Sequence, residues 1–111
     1  MADTPGAPRN PFTDIAPALA DYTERVLFGD VWQRPGLTPR DRSLITVAAL
    51  VALYRTNELP VHLRKAMQNG VSRAELIELI THLAFYSGWP TANTAVSIAR
   101  QLFDQTPASV P

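Results

Sequence analysis

Eleven residues, LITVAALVALY from Leu44 to Tyr54, carry no charge and only one hydroxyl outside the terminal tyrosine. Just before them, TPRDRS holds the signals of a helix start. Thr38 is a good N-cap, Pro39 suits the first helical position, and Asp41 meets free backbone amides in the first turn. The spacing predicts a helix from about 39 to 54. It is amphipathic only in its first turn and apolar all round from Leu44 onward, so every side needs cover. In a chain of 111 residues, that cover is expected to include another subunit. A bilayer is excluded as the cover, because the longest uninterrupted apolar stretch, Val47 to Tyr54, falls far below the ~20 residues needed to span one.

The other elements also read as helices. Residues 14 to 29 place Ile15, Leu19, Tyr22, Val26 and Leu27 on one stripe opposite Asp21, Glu24 and Arg25, and Gly29 ends the run. A third helix is predicted over 58 to 69, with Asn57 as N-cap and Gly70 just past its end. Ser72 with Glu75 three residues later forms a capping box that opens a fourth helix through Ser87. Gly88 and Pro90 break the chain before a last helix over 91 to 103. No segment alternates as a strand, so the fold class is all-α, a compact bundle of about five to six helices. Residues 1–12 and 105–111, which hold five of the ten prolines, are expected to be flexible arms around a single domain over 13–104.

Composition excludes several classes of function. Ten basic and ten acidic residues balance to zero, without the basic face that nucleic acid or an anionic membrane requires. There is no cysteine, which removes disulfides, thiolate nucleophiles and thiolate metal sites. The first residues lack a secretory leader pattern, and a soluble cytoplasmic protein is expected.

Two histidines carry the candidate chemistry. In RTNELPVH, Glu58 and His62 lie four apart, one helical turn, with Arg55 at the end of the preceding helix. One reading is a surface ion pair at a helix start. The other is a carboxylate that favours the imidazolium and fixes its tautomer, making His62 a usable acid or base near neutral pH, with Arg55 as a charge for an anionic substrate. Glu78 and His82 repeat that spacing on the fourth helix, with Tyr86 one turn on. Arg42 lies in the first turn of the second helix, where cations oppose the dipole, and Trp32 and Trp89 flank turns where an aromatic ring packs in the core or lines a cleft. Neither histidine sits in H-x-x-x-H or H-E-x-x-H, so no metal is expected.

Taken in order, the motifs PRDRSLIT, ELxxHLRKAxxNGVS and HLAFYxGWPxAxxA resemble the carboxymuconolactone decarboxylase family over roughly residues 22 to 104. Relatives similar to alkyl hydroperoxidase D carry C-x-x-C-x-x-x-H at the start of the third helix. With that histidine aligned to His62, Arg55 and Glu58 stand where the two thiols would be, and thiol peroxidase chemistry cannot operate. The resemblance implies a cofactor-independent decarboxylase acting on a small anionic lactone, 4-carboxymuconolactone, in the protocatechuate arm of aromatic catabolism. It implies His62, Glu58 and His82 as catalytic residues, Arg42, Arg55, Tyr86 and Trp32 as substrate-binding residues, and a trimer or hexamer of identical chains. Two alternatives stand beside it: acid-base chemistry on another small carboxylated lactone or keto acid, and a non-catalytic helical binding module. The enzyme readings require Glu58, His62 and His82 to converge on one enclosed pocket.

Overall fold

The computed structural model describes residues 10–105, and the chain divides into two units at Leu37/Thr38. Among the described residues every regular element is helical. The arms at 1–9 and 106–111 lie outside the described residues.

In the first unit, turns over 11–15 lead into α1 (Pro17–Asp21), a π-helical segment (Tyr22–Phe28) and a short 3-10 turn (Val31–Gln33). The sequence predicts one continuous α-helix here, so the wider π turn is a departure. Its stripe is not buried either: Ile15 is 81% exposed, and Leu19, Tyr22, Val26 and Leu27 are exposed too. Among the described residues of this unit Ala20 and Trp32 are the buried apolar ones, and the Trp32 ring lies 6.3 Å from that of Phe28. Arg25 pairs with Asp21 at 2.9 Å, one turn back.

The second unit consists of α2 (Pro39–Ala52), α3 (Leu59–Gln68), α4 (Arg73–Ser87) and α5 (Trp89–Gln105). The Thr38 hydroxyl accepts from the Asp41 amide at 3.1 Å, as its place before Pro39 predicts. The capping box of α4 is complete. The Ser72 hydroxyl accepts from the Glu75 amide, and the Glu75 carboxylate accepts from the Ser72 amide. Gly88 alone separates α4 from α5, at φ 102° and ψ 152°, a region essentially closed to residues with a Cβ. Pro90 then falls in the first turn of α5, where the missing N–H has no intrahelical partner to lose, so the last helix starts at Trp89.

Leu59, Leu63, Val71, Leu76, Ile80 and Leu102 fill the core, with Val47 and Val51 from α2 and a file of alanines, Ala92, Ala95 and Ala99, from α5. The alanines let α5 approach its neighbours closely. One buried polar group interrupts this packing: the Ser43 hydroxyl, which accepts from the Asn69 side-chain amide at 3.0 Å. The apolar α2 is buried only along Ser43, Val47 and Val51, while Ile45 and Leu53 remain exposed within the chain.

Candidate functional site

The stretch that carries the first histidine is shaped by how α2 ends. The Arg55 amide reaches back to the Leu50 carbonyl at 2.8 Å and the Tyr54 amide to the Val51 carbonyl at 3.1 Å, which together make a Schellman motif. Its left-handed position is usually glycine, and Gly70 fills it after α3. After α2 it is Tyr54, at φ 59°. A side chain in that region costs roughly 1–2 kcal/mol. The strain turns the chain sharply just ahead of Arg55.

The chain re-enters helix one residue later than predicted. Glu58, not Asn57, is the N-cap of α3; its backbone is helical and its side chain makes no capping hydrogen bond. The Glu58 carbonyl accepts from the His62 amide at 3.3 Å, so the two side chains stay one turn apart. Leu59, Leu63 and Ala66 turn into the core, and His62 and Lys65 are half-buried beside them. Burial first, and the Lys65 ammonium second, push the His62 imidazole below its ordinary range; Glu58 pulls the other way by less. The sequence reading expects the carboxylate to favour imidazolium. The structure reverses that sign, because desolvation penalises the charged ring more than an exposed carboxylate supports it. Burial also lowers the proton affinity of Lys65 itself.

The second histidine sits elsewhere. His82 stacks on Tyr86, ring centroids 4.8 Å apart, instead of pairing with Glu78. It lines an open groove between α2 and α4, about 400 Å³, with Leu44, Ala48, Leu79 and Leu83 as apolar lining and Arg40, Glu75 and Glu78 supplying charge. Arg40 donates to Glu75, which ties the start of α2 to the first turn of α4. Two carboxylates against one guanidinium suit a dianion poorly. Glu58 and His62 are not among the lining residues, so this groove does not gather the three expected catalytic side chains.

The arginines are separated as well. Arg42 is in the first turn of α2 and Arg55 lies past its end. Ten residues of helix at 1.5 Å each put about 15 Å between Arg42 and the last turn alone. The two backbone positions therefore lie near opposite ends of α2. Tyr86 is 77% exposed, and Trp32 belongs to the first unit. Trp89 is exposed and packs edge-on against Phe85 at 4.9 Å. Among the described residues no three His, Asp or Glu side chains gather as metal ligands would.

Sequence reasoning missed two groups. Lys65 was legible, since it stands three residues after His62 and so shares its face. The Arg40–Glu75 pair was not, because the partners lie 35 positions apart and only the packing of α2 on α4 joins them.

Known proteins place this arrangement. The carboxymuconolactone decarboxylase family profile matches residues 17–101. The chain is 46% identical over 90 residues to the 4-carboxymuconolactone decarboxylase of Acinetobacter baylyi, a match covering 81% of this chain and 67% of that protein. It is 38% identical over 74 residues to a nitrosuccinic acid decarboxylase of Metarhizium robertsii, covering 67% of this chain and 52% of the relative. An uncharacterized 15.0 kDa protein of Paracoccus denitrificans is 28% identical over 91 residues, covering 80% of this chain and 68% of that protein. The ordered motifs, the helical architecture and the extent of these matches agree, and the chain belongs to the carboxymuconolactone decarboxylase family.

Proposed function

We propose that this chain is a cofactor-independent carboxy-lyase that converts 4-carboxymuconolactone to 3-oxoadipate enol-lactone. The observation that carries the reading is the 46% identity to the Acinetobacter baylyi decarboxylase across most of the chain. The absence of cysteine fits it, since the rival chemistry of the fold needs thiols.

The substrates named for the two decarboxylase relatives share a substructure. Each contains a succinate unit, and the carbon that bears the departing carboxylate also bears an electron sink. In one case the sink is the conjugated lactone, in the other a nitro group. The chemistry that follows is common to both. The C–CO₂ bond breaks, its electron pair passes into the sink, and carbon takes up one proton. For the lactone, the pair reaches the carbonyl oxygen and gives a dienolate, and the proton adds at the carbon next to that carbonyl. The balance is a dianion plus one proton yielding a monoanion and CO₂.

In this reading His62 delivers the proton. A half-buried imidazole that is neutral in the free protein gains proton affinity when a dianion binds beside it, and so enters the reaction charged. Glu58 orients it from the preceding turn, and Arg55 supplies positive charge at the loop. His82 with Tyr86 is the alternative pair for the sink oxygen, brought to the same site by a second copy in a cytoplasmic trimer or hexamer. In this reading the protein serves aromatic catabolism through protocatechuate.

Purified protein mixed with 4-carboxymuconolactone is expected to release CO₂ and take up one proton per turnover in a pH-stat. His62→Ala should lower kcat by at least ~100-fold, the low end for a general acid. No turnover by the folded wild type would overturn the reading; a loss of less than tenfold in His62→Ala would remove His62 as the acid.

A further inference from the structure

We propose that two copies of this chain pair through α2, antiparallel about a twofold axis at Ala48, with Asp41 of each facing Arg55 of the other. At about 100° per residue, Asp41, Leu44, Ile45, Ala48 and Ala52 share one face of the helix, about 100° wide. Asp41, Ile45 and Ala52 are exposed, Ile45 by 56%. Leu44 and Ala48 are half-buried where this face opens into the groove beside α4. Arg55 follows just past the helix end, also exposed, and its amide bond to the Leu50 carbonyl folds it back toward the last turn. The face therefore carries an acid at its start, a base at its end and apolar side chains between. Among the described residues neither Asp41 nor Arg55 makes an ion pair within the chain.

This pattern is its own complement only when the second helix runs the other way. A twofold contact uses the same patch on both partners, with residue i against j and j against i. With the axis at Ala48, halfway between positions 41 and 55, Asp41 meets Arg55 at both ends, Leu44 meets Ala52, and alanine meets alanine at the crossing. Parallel packing would set Asp41 against Asp41 and Arg55 against Arg55, which repels at both ends. The alanines suit a close crossing, toward the lower end of the ~8–10 Å that separates packed helix axes. A ring of three identical chains has no twofold axis, so this contact selects the hexamer over the trimer, or a dimer alone. The pairing does not depend on which reaction the chain performs.

The chain has no cysteine, so a single introduced thiol can bond only to its own copy. Ala48→Cys is expected to form a disulfide-linked pair on mild oxidation, because a residue on the axis meets itself within the ~4.4–6.8 Å between Cα atoms that a disulfide spans. Ser97→Cys, exposed on α5, is the collision control and should remain single. In sedimentation equilibrium, Asp41→Arg and Arg55→Asp should each weaken association by about tenfold or more, through like charges at both ends. The double swap should restore it to within about threefold of the wild type, which separates a contact across the interface from damage to the fold. A wild type that is monomeric or holds an odd number of copies would overturn the interface. So would Ala48→Cys that links no faster than Ser97→Cys, or a double swap no better than the single ones. Association unchanged by either single swap would assign assembly to another face, such as the exposed stripe from Ile15 to Leu27, and overturn it as well.

Discussion

His62 is the residue whose chemistry depends most on its surroundings. Its proton affinity is lowered in the folded state, chiefly by burial, so the fold favours the neutral ring. The linkage has a definite sign: the unfolded chain binds more protons between the two affinities, so stability is retained above the ordinary histidine range and lost as pH falls below it. Urea unfolding of the wild type should therefore weaken on the acid side of about 6.5. His62→Gln should remove that part of the slope, and an unchanged slope would contradict the burial of the ring. Tyr54 offers a second test. Replacing it by glycine relieves roughly 1–2 kcal/mol of left-handed strain and gives back about 0.4–1 kcal/mol through a more flexible unfolded chain. Tyr54→Gly is expected to stabilise by about 0.5–1 kcal/mol in urea unfolding, since its side chain is exposed and its backbone already makes the Schellman bonds. A lower urea midpoint would mean that the phenol ring holds the turn. If activity falls while stability rises, the strained tyrosine serves the site rather than the fold.

Among the elements, the start of α4 concentrates several local interactions on one side chain. The Glu75 carboxylate accepts from the Ser72 amide and from Arg40, and these two hydrogen bonds hold its proton affinity below the usual carboxylate range. Such a group contributes stability above its unfolded proton affinity and loses it as pH falls through the folded one. Glu75→Gln should flatten the acid limb of the thermal-stability profile and leave the neutral limb little changed. Ser72→Ala removes the other half of the box and should cost about 1 kcal/mol, read from the denaturation midpoint. Hydrogen exchange at the Glu75 amide should accelerate in that variant, because its acceptor is gone. The capping box was legible from the spacing S-x-x-E. Its link to Arg40 was not, since nothing in either segment says that α2 and α4 start side by side. The N-cap of α3 shows the converse error. Asn57 has the better capping side chain, yet the turn set by Tyr54 delivers Glu58 to that position.

At the scale of the whole molecule, the exposed apolar surface is what the single chain leaves unresolved. Ile45 on α2, Leu53 just past its end, and Phe85, Tyr86 and Trp89 around the α4–α5 elbow all stand in solvent. Apolar exposure of this kind marks interaction surfaces. Light scattering at micromolar concentration is expected to give a homo-oligomer, and Ile45→Glu to lower its mass while far-UV dichroism stays helical; a monomeric wild type would end that expectation. Residue order alone was enough for the all-helical class, the caps that open α2 and α4, the lack of thiol chemistry, and the ordered motifs of the family. Those depend on caps, on apolar periodicity and on residue identity, which act over a few positions. Packing between elements set the half-burial that lowers the proton affinity of His62, and it made the Arg40–Glu75 pair. Each of these turns on which groups share space and how much water reaches them, and desolvation and through-space charge are set by packing between elements far apart in the chain.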